Sequence, residues 1–130
     1  MDLNLGRIGQ IAMSVADVDA AIEFYGTRLG LREILRPHAT MVFFDCGGVS
    51  LYLQQAHDPA DIAKASVLYF DCADLSLTVK TLEDRGVEVV SPPHRIAEQP
   101  AYDLWMAFIR DPDGHLLGLQ MHAPKGWAPT

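Results

Sequence analysis

The sequence predicts an α+β fold made of two tandem βαβββ modules, and two observations carry that prediction. Residues 15–18 (VADV) are repeated as residues 72–75 (CADL), and each copy follows a β-rich run and begins a helical pattern. Three strand-like runs then follow each helix. Two such modules pair most simply as curved mixed sheets around a central cavity, with the helices on the outside.

The first module begins with an extended run over residues 8–15. Asp17 can accept hydrogen bonds from the free amides of a first helical turn, so a helix is predicted to begin there. Apolar residues from Val18 to Leu29 recur at helical spacing, and Gly30 supplies the left-handed residue that ends the helix. Three strands are predicted next, over residues 31–35, 41–46 and 49–54.

The second module repeats this order of elements. Residues 66–72 form its first extended run, Asp74 begins the helix and Gly86 ends it. Strands are then predicted over residues 87–90, 104–110 and 115–121.

Turn-forming residues support this strand count and set the boundaries. Residues 45–48 (DCGG) and 111–114 (DPDG) carry the Asp, Pro and Gly that tight hairpin turns require. A single domain spanning residues 1–130 is expected. Its parts are module one at about 7–54, a linker at about 55–65, module two at about 66–121 and a C-terminal tail at 122–130.

Composition limits what the chain is expected to bind. A formal charge of −7, with ten basic residues scattered along the chain, argues against affinity for nucleic acid or an anionic membrane. The apolar runs are far shorter than the ~20 residues of a membrane helix, and the first residues lack a secretion signal, so a cytoplasmic protein is expected. The spacing of Cys46 and Cys72 predicts reduced thiols rather than a disulfide framework or a zinc site.

Several motifs resemble those of one superfamily. Residues 9–15 (GQIAMSV), followed by Asp17, by Phe24 and Tyr25, and by residues 29–31 (LGL), look like the first-module signature of the vicinal-oxygen-chelate superfamily. The last hairpin (DPDGH) resembles that of the same superfamily. Its members include glyoxalase I, methylmalonyl-CoA epimerase, extradiol dioxygenases and the metal-free bleomycin resistance proteins. The resemblance therefore implies the fold and, from its usual paired use, a homodimer, but no single function.

The resemblance also implies where a metal ion would bind. Metal-using members take one ligand from the first and last strands of each module. An amide, a phenol, an isopropyl group and a hydrogen occupy the matching positions, and they do not provide the three donors that zinc, nickel or iron needs. We therefore expect neither a metal ion nor a cofactor. The four positions are Gln10, Tyr52, Val67 and Gly118.

Strand alternation predicts which side chains line the cavity. On the first and last strand of each module, every second residue faces inwards, counted from those four positions. The wall mixes apolar surface with a few donors and acceptors, as ligand pockets do, and the glycine leaves room for a ligand ring. With one tryptophan added, the predicted ligand-binding residues are Gln10, Ser14, Tyr52, Gln54, Val67, Tyr69, Trp105, Gly118 and Gln120.

The stretch from Pro92 to Met106 contains the one long loop predicted inside a module. Loops of this length are often lids or binding elements. If the loop folds back, His94 and Asp103 would form a His–carboxylate pair that acts as a metal-free catalytic base. The alternative is a structural hydrogen bond that staples the loop, with Trp105 packed beneath it.

Three functions remain open on the sequence alone. The first is a metal-independent homodimer of the bleomycin-resistance kind that binds a small aromatic or amphipathic molecule. The second is a lyase, epimerase or dioxygenase of the glyoxalase superfamily with an unorthodox active site. The third is a noncatalytic accessory domain that acts through its dimer surface. A cavity that Tyr52 and Tyr69 fill would bind nothing in particular.

Overall fold

The computed structural model describes residues 3–4 and 6–130. The chain divides between Ala65 and Ser66 into two compact units, which we call the first and second modules. Each module contains one four-stranded mixed sheet and one main helical segment. The predicted α+β class, with its two βαβββ modules, is confirmed.

The elements of the first module are β1 (Gln10–Val15), α1 (Val18–Ala21), a π-helical segment (Ile22–Arg28), β2 (Arg32–His38), β3 (Met41–Cys46), β4 (Val49–Gln55) and a 3₁₀ helix (Pro59–Lys64). Their sheet has the order β1-β4-β3-β2, with β1 parallel to β4 and the other pairs antiparallel. Asp17 caps α1 as predicted, because its Oδ1 accepts a hydrogen bond from the amide of Asp19 at 2.9 Å. Gly30 has φ of 77°, which confirms the left-handed stop.

The helix of the first module differs from the regular amphipathic helix that the spacing predicts. Only its first turn is α-helical, and the remainder is a π-helical segment. The consecutive residues Phe24 and Tyr25 of the π-helical segment are both buried. Tyr25 packs towards Phe44 of β3, with ring centroids 6.5 Å apart. This pair anchors the helix on one face of the sheet.

The elements of the second module are β5 (Leu68–Asp71), α2 (Leu75–Asp84), β6 (Glu88–Glu98), β7 (Asp103–Arg110) and β8 (Leu116–Ala123). Their sheet has the order β5-β8-β7-β6, the same topology as in the first module. Asp74 caps α2 through a 3.1 Å hydrogen bond from the amide of Leu77 to its Oδ1. Gly86 has φ of 78°, so the second predicted stop is also confirmed.

The prediction of a long loop after residue 90 is wrong. The strand β6 continues to Glu98 and pairs with β7, with register shifts between Ser91 and His94 and again beyond Arg95. Pro92 and Pro93 suggested a break, but β6 is an edge strand of its sheet, where proline is tolerated because one side needs no donor. The actual loop is only the short turn between Glu98 and Asp103.

Each sheet has one buried face and one open face. The buried face lies under the helix of the module and forms its core; in the first module it is made by Met13 and Val15 on β1, and by Leu51 and Leu53 on β4. Such alternation is expected for a sheet that packs on one side only. Among the described residues, none of the helices has the length and apolar content needed to cross a membrane.

The C-terminal residues are held against the second module. Trp127 packs edge-on against Trp105, with ring centroids 5.1 Å apart. Lys125 Nζ lies 2.7 Å from Asp103 Oδ1, and the amide of Thr130 donates a 3.1 Å hydrogen bond to a serine hydroxyl on α2. The predicted tail is therefore a strap on the second module rather than a loose end.

Candidate functional site

Four of the predicted ligand-binding residues share the open face of the first sheet. In the parallel pairing of β1 with β4, Ala12 lies opposite Tyr52 and Ser14 lies opposite Gln54. Gln10 begins the same face, two residues before Ala12. The helix covers the other face, so these side chains are left accessible.

A cavity of about 210 Å³ opens within the first module, at the end of this face. It gathers three of the predicted residues, together with side chains from the β2–β3 hairpin and from the linker. Gln10 is not part of its wall. The lining residues are Ser14, His38, Thr40, Met41, Tyr52, Gln54, Gln55, Ala56, His57 and Asp61.

Hydrogen bonds and ring stacking hold the wall of this cavity in place. Tyr52 stacks on Phe43, with ring centroids 4.6 Å apart and planes 9° from parallel. The Tyr52 hydroxyl donates to Gln54 Oε1 at 2.9 Å. On the hairpin, His38 Nδ1 lies 3.1 Å from the Thr40 hydroxyl oxygen. The stacked ring supplies an apolar surface with polar groups arranged around it, as ligand pockets commonly have.

Sequence reasoning missed the hairpin and linker side chains of this wall. His38 directly follows Pro37, and His57 lies two residues before Pro59. The two histidines are exposed, yet both line the cavity. The available signal was that strand β4 ends directly at the linker, which places residues 56–61 beside the last side chains of the open face.

On the open face of the second sheet, the side chain of Tyr69 covers Gly118. Tyr69 lies opposite Gly118, and a Cβ added to Gly118 would lie 2.6 Å from Tyr69 Cε2 and 3.0 Å from its Cγ, with Cδ2 closer still. Tyr69 also meets Phe108 edge-on, at 6.0 Å between centroids. The expectation that glycine here leaves room for a ligand ring is corrected, because the ring of Tyr69 occupies that room.

The other predicted residues of the second open face are placed as the alternation implies. Gln120 follows Gly118 by two residues on β8, and its Nε2 donates a 2.8 Å hydrogen bond to Asp71 Oδ1. Val67 directly precedes β5 and is 41% exposed.

Trp105 is not on this open face. It lies opposite Met121 in the β7–β8 pairing. Phe108, which meets Tyr69, is three residues further along β7, so the two side chains lie on opposite faces of the strand. The ring of Trp105 packs on Trp127 of the C-terminal strap instead. This corrects the expectation that Trp105 lines the cavity together with Tyr69.

His94 and Asp103 do not form the expected pair. In the β6–β7 pairing, His94 lies opposite Met106, whereas Asp103 lies opposite Glu98. His94 Nδ1 lies 2.9 Å from the carbonyl oxygen of Pro92, and the Asp103 carboxylate is paired with Lys125. The loop that was to bring them together is a strand, so the proposed His–carboxylate base has no geometric support.

The residues at the four metal positions do not fit a metal ion. Val67 and Gly118 carry no donor side chain, and the Tyr69 ring covers Gly118. Tyr52 uses its hydroxyl to hold Gln54. That leaves Gln10 as the one ordinary ligand type among the four, which is too few for zinc, nickel or iron.

The last hairpin contains an ionisable cluster that was not predicted. Asp111, Asp113 and His115 bring ligand-type atoms within 4.8 Å of one another. Asp111 Oδ1 accepts hydrogen bonds from the amides of Asp113 and His115, and His115 Nδ1 lies 2.7 Å from Asp111 Oδ2. These bonds close the turn, so the cluster serves as a structural staple.

Comparison with known proteins agrees with this fold. The family model described as "Glyoxalase/Bleomycin resistance protein/Dioxygenase superfamily" matches residues 7–119. No similar sequence was found among curated proteins.

Solved structures extend the likeness to nearly the whole chain. A Vibrio cholerae integron cassette protein, VCH_CASS1, has a TM-score of 0.77 at 21% identity, covering 95% of this chain and 100% of its own. TioX from Micromonospora sp. ML1 has a TM-score of 0.71 at 21% identity, covering 90% and 99%. Lactoylglutathione lyase from Agrobacterium tumefaciens has a TM-score of 0.70 at 24% identity, covering 90% and 94%. At these identities the likeness is one of fold.

Proposed function

Because the chain belongs to the glyoxalase/bleomycin resistance protein/dioxygenase superfamily, we propose that it binds a small organic molecule, without a metal ion, in the cavity of its first module. One observation carries the proposal. Ser14, Tyr52 and Gln54, which strand alternation selected when counted from the positions that the family resemblance implies, line the same cavity of about 210 Å³. A stacked aromatic ring with polar groups beside it is the usual chemistry of a small-molecule site.

The absence of a fitting donor set supports the metal-free form of this proposal. The fold offers inward positions on the first and last strands, and here they carry an amide, a phenol and two side chains without donors. Polar contacts and apolar burial are then the source of affinity.

The test is a screen of small organic molecules by thermal unfolding in the presence of EDTA. A ligand of the native state at ~100 times its Kd stabilises the fold by about 2.7 kcal/mol, which gives a readily measured rise in Tm. We expect stabilising compounds whose effect disappears in Ser14→Phe, because the larger side chain fills the cavity.

Ser50→Phe is the matched control. Ser50 lies on the same open face, opposite Gln10, but outside the cavity lining. It should retain the ligand response. Stabilisation that requires added metal, or that survives Ser14→Phe unchanged, would contradict the proposed site.

We also propose that the protein is a cytoplasmic homodimer. Exposed apolar side chains lie on one edge strand of each sheet, with Ile34 and Leu35 on β2 and Ile96 on β6. A second copy would cover apolar surface of this kind. Cys46 and Cys72 are both free thiols, which suits a reducing compartment. Sedimentation equilibrium should give twice the chain mass of 14.3 kDa, and a single chain mass would exclude the dimer.

A further inference from the structure

In the first-module cavity, the amide oxygens of two glutamines already accept hydrogen bonds from the protein. Gln54 uses its amide oxygen to accept from the Tyr52 hydroxyl at 2.9 Å. Gln55 directs its amide oxygen to the backbone amide of Val18, 3.4 Å away. Since an amide side chain has one oxygen and one NH₂ group, both glutamines keep their NH₂ donors for another partner.

The remaining polar groups of the lining add to this excess of donors. Ser14 brings a hydroxyl, and His38 and His57 bring imidazoles to the same wall. His38 Nδ1 lies 3.1 Å from the Thr40 hydroxyl oxygen, and its ring also carries Nε2 as a second nitrogen that can hydrogen-bond. The wall therefore offers donors from several directions.

The lining also contains one carboxylate, that of Asp61, which is paired with a lysine. Asp61 lies 3.5 Å from Lys64 Nζ, an i,i+3 ion pair on the 3₁₀ helix. A cation thus accompanies the one acidic side chain of the wall. The overall charge of −7 would repel anions, so any anion selectivity here must come from these local donors.

We infer that the cavity takes a small organic carboxylate. This inference rests on the proposed small-molecule function and names the ligand class for that site. The carboxylate oxygens accept from the NH₂ groups of Gln54 and Gln55 and from an imidazole, while the Tyr52 ring and Met41 contact the short apolar body. A cavity volume of about 210 Å³ favours a small ligand over an extended one.

The experiment compares three benzene derivatives of similar size whose single substituent is an anion, a neutral amide or a cation. Benzoate, benzamide and benzylamine are titrated into the full chain by NMR, with the amide signals of Ser14 and Thr40 as reporters of the cavity. We expect benzoate to shift these signals with the highest affinity. Gln54→Glu replaces the NH₂ donor by an acceptor and should weaken benzoate about tenfold or more, which corresponds to ~1.4 kcal/mol, while benzamide loses less.

Gln99→Glu is the control for added charge, because it changes the net charge by the same amount as Gln54→Glu. Gln99 lies on the exposed turn between β6 and β7. The control substitution should leave the affinity for benzoate within about twofold. Circular dichroism checks that both variants are folded.

The outcomes separate this inference from the proposed function. Binding of benzamide or benzylamine at Ser14 and Thr40, with benzoate weaker, overturns the carboxylate inference and leaves the small-molecule site in place. Equal loss of benzoate in Gln54→Glu and Gln99→Glu also overturns it, because general repulsion would then explain the effect. If no probe shifts the reporters at about 10 mM, the carboxylate inference fails. The screen in EDTA then decides the broader proposal separately.

Discussion

The two modules share one topology, yet they place an aromatic ring on opposite strands of the same pair. In the first module, the small residue Ala12 on β1 lies opposite Tyr52 on β4. In the second, Tyr69 on β5 lies opposite Gly118 on β8. The first ring stacks on Phe43 and leaves a cavity at its edge, whereas the second lies over the glycine backbone.

This exchange leaves the packing of the two sheets similar but changes where a cavity can form. Each module keeps one large and one small side chain in the cross-strand pair, so the volume to be packed is similar. What differs is where the ring lies relative to the hairpin and linker residues that could form a wall. The candidate cavity lies in the first module, beside the ring of Tyr52.

The largest effect is expected at the hairpins, where the modules also differ. The Asp111 side chain is 1% exposed and accepts from two backbone amides and from His115. Asp45, in the corresponding turn, is 29% exposed and accepts from the Gly48 amide at 2.9 Å, with Arg32 3.4 Å away. Asp111→Ala should cost about 3 kcal/mol of unfolding free energy and Asp45→Ala about 1 kcal/mol.

Urea denaturation measures both values. Equal losses for the two substitutions would show that the buried cluster of the last hairpin adds nothing to an ordinary turn, and would remove this difference between the modules.

The next effect tests the exchanged pair itself. Gly118→Ala introduces a Cβ into the space of the Tyr69 ring and should destabilise the protein by about 2 kcal/mol. The double variant Tyr69→Ala/Gly118→Ala removes the clash, so the two changes should couple favourably by about 1 kcal/mol or more. Because Tyr69 is 48% exposed, the competing outcome is a ring that swings into solvent. In that case Gly118→Ala would be nearly neutral and the pair would show no coupling.

A smaller effect is expected from the two tyrosine hydroxyls. Tyr52→Phe removes the donor that holds the Gln54 amide and should weaken ligands of the cavity about fivefold, or ~1 kcal/mol. Tyr69→Phe makes the same chemical change in the second module and should leave ligand affinity unaltered. Isothermal titration with a compound from the screen gives both constants. A larger loss in Tyr69→Phe would move the site to the second module.

The smallest difference concerns the two thiols. Burial raises the pKa of the Cys46 thiol, and the charge of Asp45 raises it further. Burial also raises the pKa of Cys72, partly opposed by a hydrogen bond with Thr78. A raised pKa means less thiolate at neutral pH, so both thiols should react with iodoacetamide more slowly than in urea, and faster as the pH rises above about 9. Rapid alkylation of either folded thiol at pH 7 would contradict these directions.

Local chemistry explains what the sequence could predict. The caps at Asp17 and Asp74 and the stops at Gly30 and Gly86 depend on a few neighbouring residues, and all four are confirmed. The alternation that selected Ser14, Tyr52 and Gln54 is equally local, because a strand presents every second residue to one face.

The misses depended on the surroundings of a residue rather than on its neighbours in sequence. Pro92 and Pro93 break a central strand but not an edge strand, and edge position is a property of the whole sheet. The place of His38 in a cavity wall depends on the linker returning beside its hairpin. The ring of Tyr69 was assigned to the open face, but the empty space above Gly118 was assigned to a ligand.

The exchange of ring and small residue between strands also constrains how two copies of one module can diverge. Any path of single substitutions between an Ala–Tyr pair and a Tyr–Gly pair passes through either two small residues or two large ones. On an open face both intermediates are tolerated, since facing aromatic rings can pack against each other and a gap between small residues can be filled by water. The constraint on divergence is therefore that one of these two intermediates is passed, not which of them.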